Sequence, residues 1–275
     1  MTEHVAISVV LPSRGRSERL YSLLESITET VSDLRGIEVV VLLDSDEDES
    51  YSRRDFGGLN CNFFTGEFGR TMGQLNQDCV SKAHGDVICF TNDDVIFRTS
   101  GWDEVLLNKV SLEPDSAYLM YPNDLFKGSR LCTFPIMNRK LLLENLDILP
   151  AAYLGAFMDL HIMDIFKAYH RGSRITYLEE MVCEHQHYRV DSKLLDDTYK
   201  KRRRFGDDER FIRLSTQRAE IVSRLEKVPL SRASFFGHDS IFQLLLGQAH
   251  SYWKLKLFVY MFARRVYKRA TSYKA

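Results

Sequence analysis

The sequence predicts an α/β fold in which a mostly parallel, doubly wound sheet is followed by a helical C-terminal extension. Three observations carry this expectation. Residues 5–11 (VAISVVL), 38–43 (EVVVLL) and 87–91 (VICFT) are continuous β-branched and aliphatic runs, the pattern of strands covered on both faces. Between the first two, Leu20, Leu23, Leu24, Ile27 and Val31 recur at helical spacing and form one apolar stripe facing a sheet. Strand and helix then alternate up to residue 91, which implies parallel pairing through right-handed crossovers.

The remaining elements follow in order. A short strand is expected around Cys61 to Phe64, then a helix carrying Met72, Leu75, Cys79 and Val80 on one side, broken by Gly85 and Asp86 before the next buried strand. Gly101-Trp102 opens a helix, residues 117–122 (AYLMYP) read as a strand and 138–145 as a helix, residues 158–171 as another helix and 174–178 as a strand. From residue 191 the composition turns charged (KLLDDTYKKRRRFGDDER, 193–210), as expected of a solvated helix or loop. The main domain is therefore placed at 1–190, with a charged linker and helical extension at 191–275.

Composition bounds the function classes. The 275 residues are 44% hydrophobic and 27% charged, with a formal net charge of −1, so the basic excess that drives nucleic-acid binding is missing. The five cysteines are scattered, with no C-x-x-C pair, which points to free thiols in a reducing, cytoplasmic setting. The first residues lack the basic and apolar regions of a signal peptide. The longest uncharged run near the other end, Ser240 to Trp253, has 14 residues, short of the roughly 18–20 that a spanning helix needs. The last 25 residues contain seven Lys or Arg and no acid, a basic amphipathic helix. That helix suits peripheral contact with an anionic membrane face, or packing on the domain or in a homodimer.

In doubly wound sheets ligands bind beyond the carboxyl ends of the strands. Here those ends are Pro12-Ser13-Arg14-Gly15-Arg16, Asp44-Ser45-Asp46 and Asn92-Asp93-Asp94, so arginines and carboxylates should converge on one edge. Two adjacent carboxylates repel unless a cation or hydrogen-bond donors neutralise them, and Mg2+ or Mn2+ is a usual remedy. Asn92-x-Asp94 is then a D-x-D variant, with Asp94 the direct ligand and Asp93 a ligand or a neighbour. A capped turn with solvated acids is the plain alternative.

The segment GRTMGQLNQDCVSKAHGDVICFTNDDVIF from Gly69, the opening ISVVLPSRGR and the second strand EVVVLLDSDEDES together resemble GT-A glycosyltransferases of the inverting family 2. The resemblance implies a GT-A fold and an enzyme moving a sugar from a nucleotide-diphosphate donor, UDP most often, to a hydroxyl of a glycan or lipid-linked acceptor, with inversion and with Mn2+ or Mg2+. It implies donor contacts from Pro12, Ser13, Arg14, Arg16, Asp44, Asp46, Arg70, Asn76, Asn92 and Asp93, and a metal held by Asp94 and His185. Asn123 and Asp124 would meet the donor sugar or acceptor. A looser similarity in the second half implies an acid opening a helix as the general base. Asp159 is that acid, although the family's E-D doublet is absent because Met158 precedes it. A helix N-cap is a competing role for Asp159, and Asp164, on another face of the same helix, is the rival base. His187 lies between a supporting and a surface role.

Other acidic motifs fail on their own requirements. Read as an EF-hand, DSDEDES puts Glu49 at the sixth position and Asp55 at the twelfth, where Gly and Glu are needed. PSRGRSERL supplies a single glycine, too few for the phosphate loop of a sugar nucleotidyltransferase. A non-catalytic nucleotide-sugar or glycan-binding module is the other class to separate by experiment.

Overall fold

The computed structural model describes residues 4–43, 54–196 and 207–229. Asp44 and Asp46, the stretch 197–206 and the last 25 residues, where a basic amphipathic helix is expected, lie outside the described residues. Eight strands form one sheet in the order β3-β2-β1-β4-β7-β6-β8-β5. β1 is Ile7–Ser13, β2 Ile37–Leu43, β3 Asn60–Thr65, β4 Val87–Phe90, β5 Val95–Phe97, β6 Leu119–Asn123, β7 Ile136–Asn138 and β8 Ile175–His185. The helices are α1 (Ser17–Thr30), α2 (Met72–Lys82), α3 (Trp102–Val110), α4 (Arg139–Glu144), α5 (Met158–Ala168), α6 (Asp207–Arg213) and α7 (Ser215–Glu226).

The continuous apolar runs have the expected cause: β1, β2 and β4 are covered on both faces. Ile7, Val9 and Leu11 of β1 pack with Leu20, Leu23, Leu24 and Ile27 of α1 and with Trp102 and Leu106 of α3. Val10 points the other way, into a layer formed by α2, α4, α5 and α7 through Cys79, Val80, Leu141, Leu142, Ile162, Ile165, Phe166, Ile221 and Val222. The four α1 residues are fully buried, each contributing roughly 1.5–3 kcal/mol relative to exposure. α2 starts with a capping box, Thr71 accepting from Gln74 N while the Gln74 side chain accepts from Thr71 N, which satisfies two orphan amides. Gly73 in its first turn presses on Pro150, where any Cβ would overlap the Pro150 carbonyl.

β1 through β4 pair in parallel, and β6 pairs in parallel with β8. Two strands that the sequence did not predict, β5 and β7, run antiparallel to β8 and to β4 and β6. Each has three residues, too few to show a period. β8 extends to His185, well past the expected 174–178, with Glu179 and Glu180 on its exposed side. The helix expected over 158–171 ends at Ala168, because His170 and Arg171 turn into the left-handed region (φ 45° and 56°). Near the end of the charged stretch, Asp207 is fully buried, against the solvation that the composition implies. Among the described residues no helix is long and apolar enough to cross a membrane.

Candidate active site

Beyond the carboxyl ends of β1, β4, β6 and β8, polar groups gather as the topology requires. β1 ends at Ser13, and the chain turns through Gly15 (φ 63°), a conformation that glycine adopts without strain. This turn brings Arg16 back over the strand ends. Its Nη1 lies 2.9 Å from Asp93 Oδ1 and 3.4 Å from Asp94 Oδ2, and Ser13 Oγ donates to Asp93 Oδ2 at 2.9 Å. From the far end of the domain, Asp196 accepts from Arg16 Nη2 at 3.0 Å and lies 3.4 Å from Arg19 Nη2.

The electrostatics follow from burial. Asp93 and Asp94 are 6% and 2% exposed. Burial raises the Asp93 pKa, the neighbouring Asp94 charge raises it further, and Arg16 offsets only part. Burial alone would lower the Arg16 pKa, but Asp93, Asp196 and Asp94 push it above the ordinary arginine value. Among the described residues, three carboxylates thus face the two guanidinium groups of Arg16 and Arg19.

His185 reaches this cluster through strand pairing. The chain leaves Asp94 directly into β5, and β5 pairs with the end of β8, Val95 opposite His185. Gln186 N donates to the Asp94 carbonyl at 2.8 Å and His185 N to the Asp124 carbonyl at 3.1 Å. His185 Nε2 consequently lies 3.5 Å from Asp94 Oδ1. Its Nδ1 is buried with no hydrogen-bond partner among the described residues. The ring is boxed by Phe134 and Phe126 at 5.1 and 6.0 Å. His187 stacks on Phe126 at 4.9 Å, and its Nδ1 accepts from Arg189 N, a supporting position.

A divalent ion fits this pair of atoms. With metal–ligand bonds of about 2.1 Å, neighbouring ligands around one ion lie roughly 3.0–3.4 Å apart, near the observed 3.5 Å. Among the described residues no group of three or more His, Cys, Asp or Glu side chains has the arrangement of a metal site. Asp94 and His185 could thus serve as two protein ligands, a number that suits an ion whose sphere substrate phosphates and water complete.

The other expected residues are distributed less uniformly. Pro12 is half-buried in β1, Arg14 is exposed on the turn, and Asn92 is half-buried after β4. Arg70 pairs with Glu67 at 3.0 Å and Asp78 at 3.5 Å, and buried Asn76 donates to the Met72 carbonyl within α2. Both therefore have local structural partners. Asn123 caps its own turn by accepting from Leu125 N. Asp124, 1% exposed, accepts from Phe126 N, Lys127 N and Gly128 N through Oδ1 and from Thr133 Oγ1 through Oδ2. Its carboxylate is the brace of the β6–β7 loop.

Asp159 stands half-buried in the first turn of α5, where the helix dipole favours an anion. It is not the N-cap: Phe157 holds that position in a left-handed conformation, φ 69°. The β6–β7 loop reaches Asp159, since Cys132 Sγ donates to its carbonyl at 3.2 Å, and the same loop supplies the two rings around His185. Asp164 is 3% exposed, with Oδ2 2.9 Å from Arg218 Nε. Sequence reasoning missed Asp196, Asp207 and Arg218. Asp207 accepts from Leu154 N, Gly155 N and Ala156 N, tying down the loop that leads into α5. All three sit in a highly charged stretch or beyond it, where nothing in the pattern marks one acid or arginine as buried.

Residues 8–141 match the sequence profile of the family described as glycosyl transferase family 2. No curated protein matches the chain. Among solved structures, S. aureus TarS 1–349 in complex with UDP-GlcNAc is 16% identical, with 84% of this chain and 70% of that one covered and a TM-score of 0.56. Mannosyltransferase PcManGT from Pyrobaculum calidifontis, in complex with GDP-Man and Mn2+, is 15% identical, with 94% and 74% covered and a TM-score of 0.51. At such identities the likeness is one of fold. The sheet and helices built around residues 8–141, the stretch similar to glycosyl transferase family 2, have the fold of the GT-A glycosyltransferases.

Proposed function

We propose that the protein transfers a sugar from a nucleotide-diphosphate donor to a hydroxyl of a glycan or lipid-linked acceptor, with inversion and with the help of Mn2+ or Mg2+. The observation that carries this reading is the meeting of Asp94 and His185 at the carboxyl edge of the sheet, 3.5 Å apart, although 91 positions separate them (185 − 94). Asp94 and His185 would hold the cation, which when bound offsets the negative charge that grows on the leaving diphosphate. Ser13 and Arg16 fix Asp93 beside Asp94, so the acidic edge is organised before any ligand arrives. Arg14, exposed on the same turn, is placed to meet donor phosphates.

Asp159 would take the proton of the attacking hydroxyl, and inversion follows if that hydroxyl approaches opposite the leaving group. The buried bond of Asp164 to Arg218 supports Asp159 over Asp164 as the base. UDP is the expected nucleotide; TarS was solved with UDP-GlcNAc and PcManGT with GDP-Man. A cytoplasmic site, with the basic C-terminal helix touching a membrane face or a second copy, agrees with a lipid-linked acceptor.

The test is a donor-hydrolysis screen over UDP- and GDP-sugars with Mn2+, comparing the intact chain with Asp94→Ala. Mn2+-stimulated release of nucleotide that Asp94→Ala abolishes is the expected result. One observation favours a second reading: Arg16 already lies against Asp93 and Asp94, as it would in a module that binds nucleotide without metal. Calorimetry of UDP and GDP with and without Mn2+ separates the two, since metal-indifferent binding without turnover removes the enzyme.

A further inference from the structure

The rim between His187 and Asp159 carries three cations with an unusual environment. Lys127 and Arg130 project from the β6–β7 loop, and Arg189 follows β8. A chain of ring contacts links the loop to the segment after β8: Lys127 Nζ lies 4.2 Å from the Phe126 centroid, Phe126 stacks on His187 at 4.9 Å, His187 on Tyr188 at 4.6 Å, and Arg189 Cζ sits 5.8 Å from the Tyr188 centroid. Arg130 braces the loop by donating to the Phe126 and Lys127 carbonyls.

Most arginines elsewhere in the described residues face a carboxylate, as Arg16, Arg70, Arg98, Arg174, Arg218 and Arg224 do. These three cations do not. None of them forms an ion pair with an acid among the described residues, whereas Lys127 feels the repulsion of both arginines. Burial and the charges of Arg189 and Arg130 lower the Lys127 pKa, against the weaker opposing pull of Asp124 and Asp159. Like charges held together without a counterion are costly unless a ligand supplies one.

The loop is also built in advance. Asp124 fixes three successive amides, and Leu125 is held in a left-handed conformation at φ 53° with its side chain 57% exposed. Non-glycine residues in that region are strained and persist where the surroundings impose them. The loop that carries Lys127 and Arg130 also reaches Asp159, through Cys132 Sγ on its carbonyl, whereas Asp93 and Asp94 have Arg16 as their cation. This contact sets the cluster on the acceptor side of the site rather than at the leaving diphosphate.

From this arrangement we infer that Lys127, Arg130 and Arg189 form an anion subsite beside Asp159 that binds a phosphate group carried by the acceptor. An ammonium and two planar guanidinium groups match the several oxygens of a phosphate, and their field would draw an anionic acceptor toward the rim. The inference rests on the glycosyl-transfer reading for the word acceptor, while the anion subsite itself does not.

Calorimetric titration of inorganic phosphate into the full chain, alone and saturated with UDP and Mn2+, tests it. Phosphate binds in both states, Lys127→Gln and Arg189→Ala each weaken it by about tenfold, and Lys140→Gln, on exposed α4, leaves it unchanged. UDP affinity stays at the wild-type value in all three variants. Neither main variant removes a loop brace, so thermal melts should match wild type. Two results overturn the subsite: phosphate binding that the variants do not weaken, or a proportional loss of UDP affinity, which would assign the cations to the donor diphosphate. If wild type fails to bind UDP, the glycosyl-transfer reading falls, and the phosphate titration of the unloaded chain still decides the subsite.

Discussion

Of the arginines that meet aspartates, Arg218 and Arg16 differ most, and the contrast separates support from chemistry. Arg218 of α7 donates from Nε to Asp164 at 2.9 Å and from Nη1 to the Phe211 carbonyl at 2.7 Å, with its Cζ 3.9 Å from the Phe211 ring centroid. One cation matches one anion in the interior. Nearby His161, bonded to Tyr153 Oη at 3.1 Å, has its pKa pushed well down by burial and by Arg218, so it stays neutral. Arg16 instead faces Asp93, Asp94 and Asp196, so among the described residues the acids outnumber it at an edge where four strands end. A balanced pair locks α7 onto α5. An unbalanced one leaves charge for a ligand to meet.

The largest effect expected from breaking this contrast is kinetic. Asp159→Asn should lower turnover of the donor–acceptor reaction by roughly 10²–10⁴-fold with an unchanged melting temperature. Steady-state rates over a pH series measure this, and an unchanged rate removes Asp159 as base.

Next in size is stability. Arg218→Ala should cost about 3–5 kcal/mol, because it strands a buried carboxylate, whereas replacing Asp164 and Arg218 together by apolar residues of similar volume should be nearly neutral. Denaturant unfolding of the single and double variants gives both numbers. Equal losses in the two would show that the pair contributes more than the cost of burying it.

A smaller loss, about 1–3 kcal/mol, is expected for Asp207→Asn, which weakens acceptance from the three amides of Leu154, Gly155 and Ala156. Hydrogen exchange should speed up at those amides first. Exchange that speeds up uniformly across the domain would argue against a local clamp.

The smallest is a pH effect at Glu38, 1% exposed on β2. Burial alone would raise its pKa, but bonds from Ser8 Oγ, His84 N and the His84 ring hold it below the ordinary value of 4.5. The folded state therefore binds this proton less readily than the unfolded chain. The stabilisation is complete above about pH 4.5 and is lost as pH falls toward the folded value. Glu38→Gln should flatten that part of the stability curve in acid titrations followed by circular dichroism, and an unaltered acid limb would contradict the assignment.

The core strands and helices were legible because their causes are local. β1, β2 and β4 announce themselves as unbroken apolar runs, and α1 as a stripe from Leu20 to Ile27. The carboxyl-edge rule then points to Ser13, Arg16, Asp93 and Asp94 from the sequence alone. It did not reveal that Arg16 lies against the two acids, because the sequence does not state which way a side chain leaves the turn after Gly15. β5 and β7 were invisible at three residues each. Yet the pairing of β5 with β8 is what carries His185 to Asp94.

Local pattern by itself determined the layered fold, the identity of the acidic strand end and the family signature, since periodicity, turn residues and short motifs act over a few neighbouring positions. Tertiary structure alone decided that Asp164 is paired with Arg218, that Asp124 braces its own loop, and that Lys127, Arg130 and Arg189 share one rim. Those outcomes depend on contacts between residues tens of positions apart. Whether a charge is matched or left over is fixed by which distant groups burial places beside it.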